Sequence, residues 1–314
     1  MLLQITHETR YRYRPAVETA QHMAYLRPRS HDCQQVLNCT IEVEPAPSML
    51  REGRDLYGNV RSFFSLQTPH QELRVRAQSQ VRTSYAQLPQ STLSWDAQCE
   101  RFRYQAGAPY DAAAEFVFPS PFVPRHADFA NYARPSFPAG VGLLEGVTDL
   151  TQRMHRDFRY ASQSTQITTP AREALAQRTG VCQDFAHIML ACLRMLGVPA
   201  RYVSGYLQTQ AAAGSPKLVG SDASHAWVSV YLADFPEQQR WCDFDPTNNR
   251  WGWHSPGMDY VTLAVGRDFG DVSPLRGVIH GGSNHTLAVA VTVLEMTQPT
   301  ATREFNSLTR QDQA

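Results

Sequence analysis

Long apolar runs are missing from this 314-residue chain. No stretch approaches the roughly 18 uninterrupted apolar residues of a bilayer-spanning helix, so no such span is expected. An excess of charge is missing too. Lysine plus arginine and aspartate plus glutamate each total 29, which sets up no field to draw nucleic acid or an anionic membrane surface. The six cysteines, at positions 33, 39, 99, 182, 192 and 242, show no framework spacing, and a chain of this size buries a core without staples. No C-x-x-C, H-E-x-x-H or D-x-[DN]-x-[DN]-G pattern occurs, so neither a zinc site nor a calcium loop is expected and no metal or cofactor is implied. Internal repeats are absent as well. The opening MLLQITHETRYRYRP alternates apolar and polar residues and lacks the apolar core of a signal peptide. The expectation is a soluble protein of the reducing cytoplasm with free thiols.

What is present divides the chain by period. Over residues 1–85 the pattern has period two: Leu73, Val75, Ala77 and Val81 alternate with polar neighbours, and Gly58-Asn59 stands where a tight hairpin needs positive φ. This predicts an N-terminal β-rich, sandwich-like domain. Residues 86–140 are proline-rich with scattered aromatics, and read as an ordered connection. From 141 to 298 the period becomes helical and then returns to strands. Leu143, Leu144, Val147, Leu150 and Met154 mark one helix. In a second, Phe185, Ile188, Met189, Cys192, Leu193 and Leu196 form an apolar stripe, and Gly197 supplies the stop. Strands are predicted at 200–208, 225–232, 240–245 and 286–296, the last reading as covered because it is apolar on both sides. A polar tail, 299–314, is expected to fray. The fold class is α+β.

Three residues concentrate the chemistry. Cys182 falls in the first turn of its predicted helix, where unpaired N–H groups and the macrodipole favour thiolate over thiol. Gly180 leaves the backbone before it uncovered for a substrate carbonyl, and the Cys182 N–H is placed to be an oxyanion donor. The segments 225–232 and 241–245 read as a hairpin. If it is centred on residue 235, His225 stands directly across from Asp245, about 5 Å away. A two-residue slip brings Asp243 opposite instead. A carboxylate there fixes the imidazole tautomer and leaves the other nitrogen to take the thiol proton. Taken singly, Cys182 is more often a buried small hydrophobe and a histidine beside a tryptophan is more often structural; their joint occurrence carries the reading. His187, five residues after Cys182, lies about 140 degrees further round the helix and is a poor base. Trp227 either shields the ion pair and shapes an acyl pocket or simply packs.

The runs G180-V-C-Q-D-F-A-H187, S224-H-A-W-V-S-V-Y231 and W241-C-D-F-D-P-T247 resemble the three motifs of the bacterial transglutaminase-like superfamily, relatives of the papain-like cysteine proteases. The opening THETRYRY, the run QHMAYLRPR and the closing GRDFGDVSPLRGVIHGGSNHTLAVAV resemble the variant with its own N-terminal β domain. The resemblance implies a papain/transglutaminase-like core, with Cys182 as nucleophile, His225 as base and Asp245, preferred now over Asp243, as third member. It implies a peptidase or amidase working through a thioester on a peptide or protein substrate, with transamidation, deamidation or a non-catalytic peptide-binding module as the alternatives. Gly180, Gln183 and Trp227 are then the candidate substrate contacts, and an ATP-grasp type ligase is a candidate partner.

Overall fold

The computed structural model describes residues 1–87, 90–107, 109–161, 169–209 and 224–296; Pro89 of the proline-rich connection and the polar tail 299–314 fall outside them. In chain order the elements are β1 (Leu2–Ala24), β2 (Gln34–Glu44), β3 (Met49–Arg54), β4 (Val60–Leu66), β5 (His70–Thr83), α1 (Trp95–Arg101), α2 (Ala127–Ala133), α3 (Leu143–Asp157) and β6 (Arg159–Tyr160). There follow α4 (Ala171–Gln177), β7 (Thr179–Gly180), α5 (Cys182–Leu196), β8 (Ala200–Leu207), β9 (Ser224–Tyr231), β10 (Trp241–Asp245), β11 (Arg250–Trp253), β12 (Tyr260–Gly266), α6 (Phe269–Val272), β13 (Leu275–Gly281) and β14 (Asn284–Glu295). No helix among the described residues is long and apolar enough to cross a membrane.

The first sheet is organised by β1, which is 23 residues long. Residues 2–12 of β1 pair with β5 on one side and residues 3–14 pair with β14 on the other; further along, residues 20–24 pair with β4 and 17–24 with β13. Both stretches contribute to one core of Tyr13, Val17, Ala20, Val43, Phe64, Leu66, Leu73 and Val75. The alternation seen in β5 holds: Leu73, Val75, Ala77 and Val81 are buried while the arginines between them are not. The β3–β4 turn places Gly58 at φ +77°, the left-handed conformation that a residue without a Cβ adopts freely.

The predicted covered strand at 286–296 is corrected by the structure. It coincides with most of β14, which pairs with β1 in the first sheet and leaves Leu287 and Val289 about half exposed (50% and 51%). An apolar run on a partly solvated strand imitates the two-sided pattern of a buried one. Strands covered on both faces are found in the second sheet instead, for example β9 and β12, in which nearly every residue is buried.

The second sheet has the order β11-β10-β9-β8-β12 and is antiparallel at every pairing. One face, with Ala226, Val228, Val230, Cys242 and Phe244, shares a core with α3, α4 and α5. The other buries Val203, Trp227, Tyr260 and Val265, with Tyr57 of the β3–β4 turn packed against them. α5 is buried on all sides from Asp184 to Arg194, so the single apolar stripe read from sequence was too narrow. The helix is wedged between sheet and helices, as one that is apolar nearly all round must be.

Candidate active site

Cys182 is the first residue of α5 and is half-buried. The start of the helix is fixed by Asp184, whose Oδ2 accepts the Val181 N–H at 2.8 Å. Asp184 can fold back in this way because residue 180 is a glycine: a Cβ there would stand 2.7 Å from Asp184 Oδ2 and 2.8 Å from its Cβ. The space that a side chain at 180 would need is therefore occupied by a carboxylate. The glycine acts on the site through the helix start. Gln183 lies half-buried in the first turn of α5.

His225 and Asp245 meet as expected in partnership, though not in register. Asp245 Oδ2 is 2.7 Å from His225 Nε2. Cys182 lies close enough to act on the same ring, and Nδ1 is the ring nitrogen that Asp245 leaves free. The β9–β10 ladder pairs Trp241 with Tyr231, Asp243 with Ser229 and Phe244 with Val228. The hairpin is thus centred one residue later than the sequence suggested, and Asp245 reaches His225 diagonally. Asp243 makes the equivalent diagonal bond to Trp227, accepting its Nε1–H at 2.8 Å.

Burial alone would lower the His225 pKa. Asp245, through charge and hydrogen bond, and then Cys182 outweigh burial and push the group up to about 10. Burial works against the Asp245 carboxylate too, yet His225, Asn248 and Tyr260 hold it below its ordinary range. Both shifts favour the imidazolium–carboxylate form of the pair, and an imidazolium is the form that stabilises a neighbouring thiolate.

Two members of this arrangement were missed by the sequence reading. The Tyr260 hydroxyl donates to Asp245 Oδ2 at 2.7 Å, and Asn248 Nδ2 donates to the same oxygen at 2.7 Å. The Thr247 N–H completes the set by donating to Asp245 Oδ1 at 2.8 Å. Asn248 had a local signal, being three residues beyond Asp245 in a turn. Tyr260 had none: β12 is three places from β10 in the sheet order. Tyr160, 52% exposed, also lies near Cys182: burial first, and then the Cys182 charge, push its phenol pKa up.

Trp227 is fully buried, its ring 6.1 Å from that of His225 and edge-on to Tyr260 at 5.4 Å. It packs against the histidine and Tyr260. His187, 3% exposed, accepts the Phe269 N–H at Nε2 (3.2 Å) and is held neutral, burial pushing its pKa down to about 3. Cys242 points to the opposite face, donating to Gly252 O.

A cysteine-tipped helix packed on an antiparallel sheet that carries a paired histidine and aspartate defines the papain-like and transglutaminase-like fold class. Residues 3–82 match the bacterial transglutaminase-like N-terminal region, and residues 138–246 match the transglutaminase-like superfamily. The chain belongs to this superfamily, in the bacterial form with a dedicated N-terminal region. It is 37% identical over 300 residues to an uncharacterized protein of Mycobacterium tuberculosis, covering 93% of this chain and 92% of that protein. A solved structure of a candidate cysteine protease from Cytophaga hutchinsonii superposes with a TM-score of 0.70 at 21% identity, covering 95% of this chain and 92% of that one. A shorter stretch of 71 residues is 41% identical to a protein-glutamine gamma-glutamyltransferase of Pseudomonas aeruginosa, covering 22% of this chain and 10% of that protein.

Proposed function

We propose that this protein is a cysteine-dependent acyl-transfer enzyme that hydrolyses amide bonds in a peptide or protein through a thioester, with Cys182, His225 and Asp245 as its catalytic set. The observation that carries the reading is one imidazole with a carboxylate on Nε2 at 2.7 Å, close enough to the cysteine at the start of α5 for the two to interact. The Cys182 thiolate attacks the substrate carbonyl, and negative charge develops on the carbonyl oxygen next to the unpaired N–H groups at the start of α5. The C–N bond breaks, and the leaving amine takes the proton held by His225. Water then gives a proton to His225 and attacks the thioester; the C–S bond breaks, releasing the acid and restoring the cysteine. Asp245 keeps the ring in one orientation throughout.

Transamidation shares every step up to the thioester and differs only in that an amine enters in place of water. The local identity to a protein-glutamine gamma-glutamyltransferase supports keeping it as the second reading. Incubating the protein with casein and a fluorescent primary amine separates the two. Hydrolysis predicts new peptide termini or released ammonia, without label bound to casein, abolished by Cys182→Ala. Stable incorporation of the amine would overturn hydrolysis in favour of transfer.

A further inference from the structure

The face of the second sheet turned away from α5 is closed by the connection between β1 and β2 together with the β3–β4 turn. Polar side chains fasten that closure at two points. The Gln34 amide brackets Thr262, donating to its carbonyl and accepting its N–H, both at 2.8 Å; Asn59 does the same at Val265, at 2.7 and 2.9 Å. Between these fastenings lies a cavity of 340 Å³ whose wall includes Arg29 and His31 from the connection, and Arg201, Trp241, Asp243 and Thr262 from the sheet.

Its charges do not cancel. Arg201 lies flat on the Trp241 ring, 3.8 Å from its centroid, and makes no hydrogen bond among the described residues; its buried Nε has no partner. Among the described residues the Arg29 guanidinium donates only to neutral oxygens, Asn59 Oδ1 at 3.1 Å and Tyr57 O at 3.5 Å. Among the described residues neither guanidinium has a carboxylate within ion-pair distance. The one carboxylate in the wall, Asp243, is engaged by Trp227 at 2.8 Å. His31 Nδ1 accepts the Cys33 N–H at 3.3 Å, so its proton resides on Nε2, a buried nitrogen that also has no partner. Two guanidiniums against one carboxylate leave a positive surplus in a partly desolvated space. A buried charge without a counter-charge is costly, and water answers polarity without answering charge.

We propose that this cavity is a second ligand site, separate from Cys182, that takes a small molecule through its carboxylate or phosphate group. Arg201 supplies a planar fork for the oxyanion, held rigid by its stack on Trp241, and Arg29 closes over it from the other half of the protein. Burial supports the assignment by lowering the pKa of both arginines, Arg201 to about 9, a loss that a bound anion reverses. The site also adjoins the catalytic sheet's hydrogen-bonded row, because Asp243 holds the Trp227 indole that underlies His225.

Calorimetric titration of the protein with inorganic phosphate and, separately, acetate tests this and distinguishes the two sources of oxyanion. Binding of one or both is expected, weakened at least tenfold in Arg201→Met and in Arg29→Met, and unaltered in Cys182→Ala. Unchanged affinity in folded Arg201→Met would overturn the site, leaving the arginines as cement between the two halves. Where a variant fails to fold, the wild type decides. Crystals grown with selenate should show anomalous density between Arg29 and Arg201, and density confined to the outer surface refutes the proposal.

Discussion

Asp245 and His225 are bonded across a diagonal. Continuing the observed β9–β10 ladder by one step places Asp245 opposite Trp227, yet its Oδ2 lies 2.7 Å from His225 Nε2. Diagonal neighbours on a sheet face stand about 7–8 Å apart at Cα, so the carboxylate must be steered, and Tyr260, Asn248 and Thr247 do this by donating to its two oxygens. Orientation of the His225–Asp245 pair therefore depends on Tyr260 and Asn248, which lie outside the three sequence motifs, as well as on Thr247.

That dependence predicts the effect of removing a donor. Tyr260→Phe deletes a hydrogen bond to a charged group, worth about 1.5–3 kcal/mol, and should cut kcat about tenfold or more with a smaller change in KM. Asp245→Asn should cost on the order of 100-fold or more, the scale of a misplaced general acid–base. Steady-state kinetics on the substrate found in the amine-transfer assay checks both, and an unaltered kcat in Tyr260→Phe would show that Asp245 needs no steering.

The thiols should separate sharply in reactivity. All six cysteines are unpaired. Burial pushes the thiols of Cys33, Cys39 and Cys242 up, and those of Cys99 and Cys192 up to about 12, so they stay protonated near neutral pH. Iodoacetamide at pH 7 should alkylate Cys182 first, mapped by peptide mass spectrometry, with a rate at least about tenfold above the next cysteine. Equal labelling of Cys99 would contradict the imidazolium's role.

Stability should fall at alkaline pH because of one histidine. The folded-state pKa of His225 lies above its ordinary 6.5, at about 10. The stabilisation this represents is complete below about 6.5 and is lost as pH rises through about 10. Asp245 works in the other direction: its pKa is lowered from 3.8, so its contribution is present above that value and disappears as pH falls through the lowered one. Thermal unfolding between pH 8 and 11 should show a fall in Tm on the order of 5 °C attributable to this group. That component should be missing in His225→Gln; an identical fall in the variant assigns it to other residues.

Packing beneath the histidine gives a further test. Gly205 pairs with His225 across the β8–β9 ladder, and a Cβ at 205 would collide with the Val261 carbonyl and the Trp227 ring. Neither can retreat, since Trp227 is fully buried and Val261 lies in the sheet. Gly205→Ala should therefore destabilise by about 2–3 kcal/mol, the scale of an overpacked core, read by urea unfolding. A loss below about 0.5 kcal/mol would show the ring to be loosely held.

Much of this protein was written locally. The helical run ending at Gly197 placed Cys182 at a helix start, the β-rich segments around His225 and Asp245 announced a hairpin, and the alternation through Leu73 to Val81 announced a half-buried strand. Each follows from periodicity or capping within a few residues, which a sequence displays directly. Tertiary structure alone decided the diagonal register, because a two-residue slip keeps every side chain on its face and periodicity cannot detect it. It also sent β14 back to pair with β1, nearly the whole chain length away, and brought Tyr260 to Asp245 and Arg29 to Arg201. Those meetings depend on which surfaces the whole chain buries together, a property no short window contains.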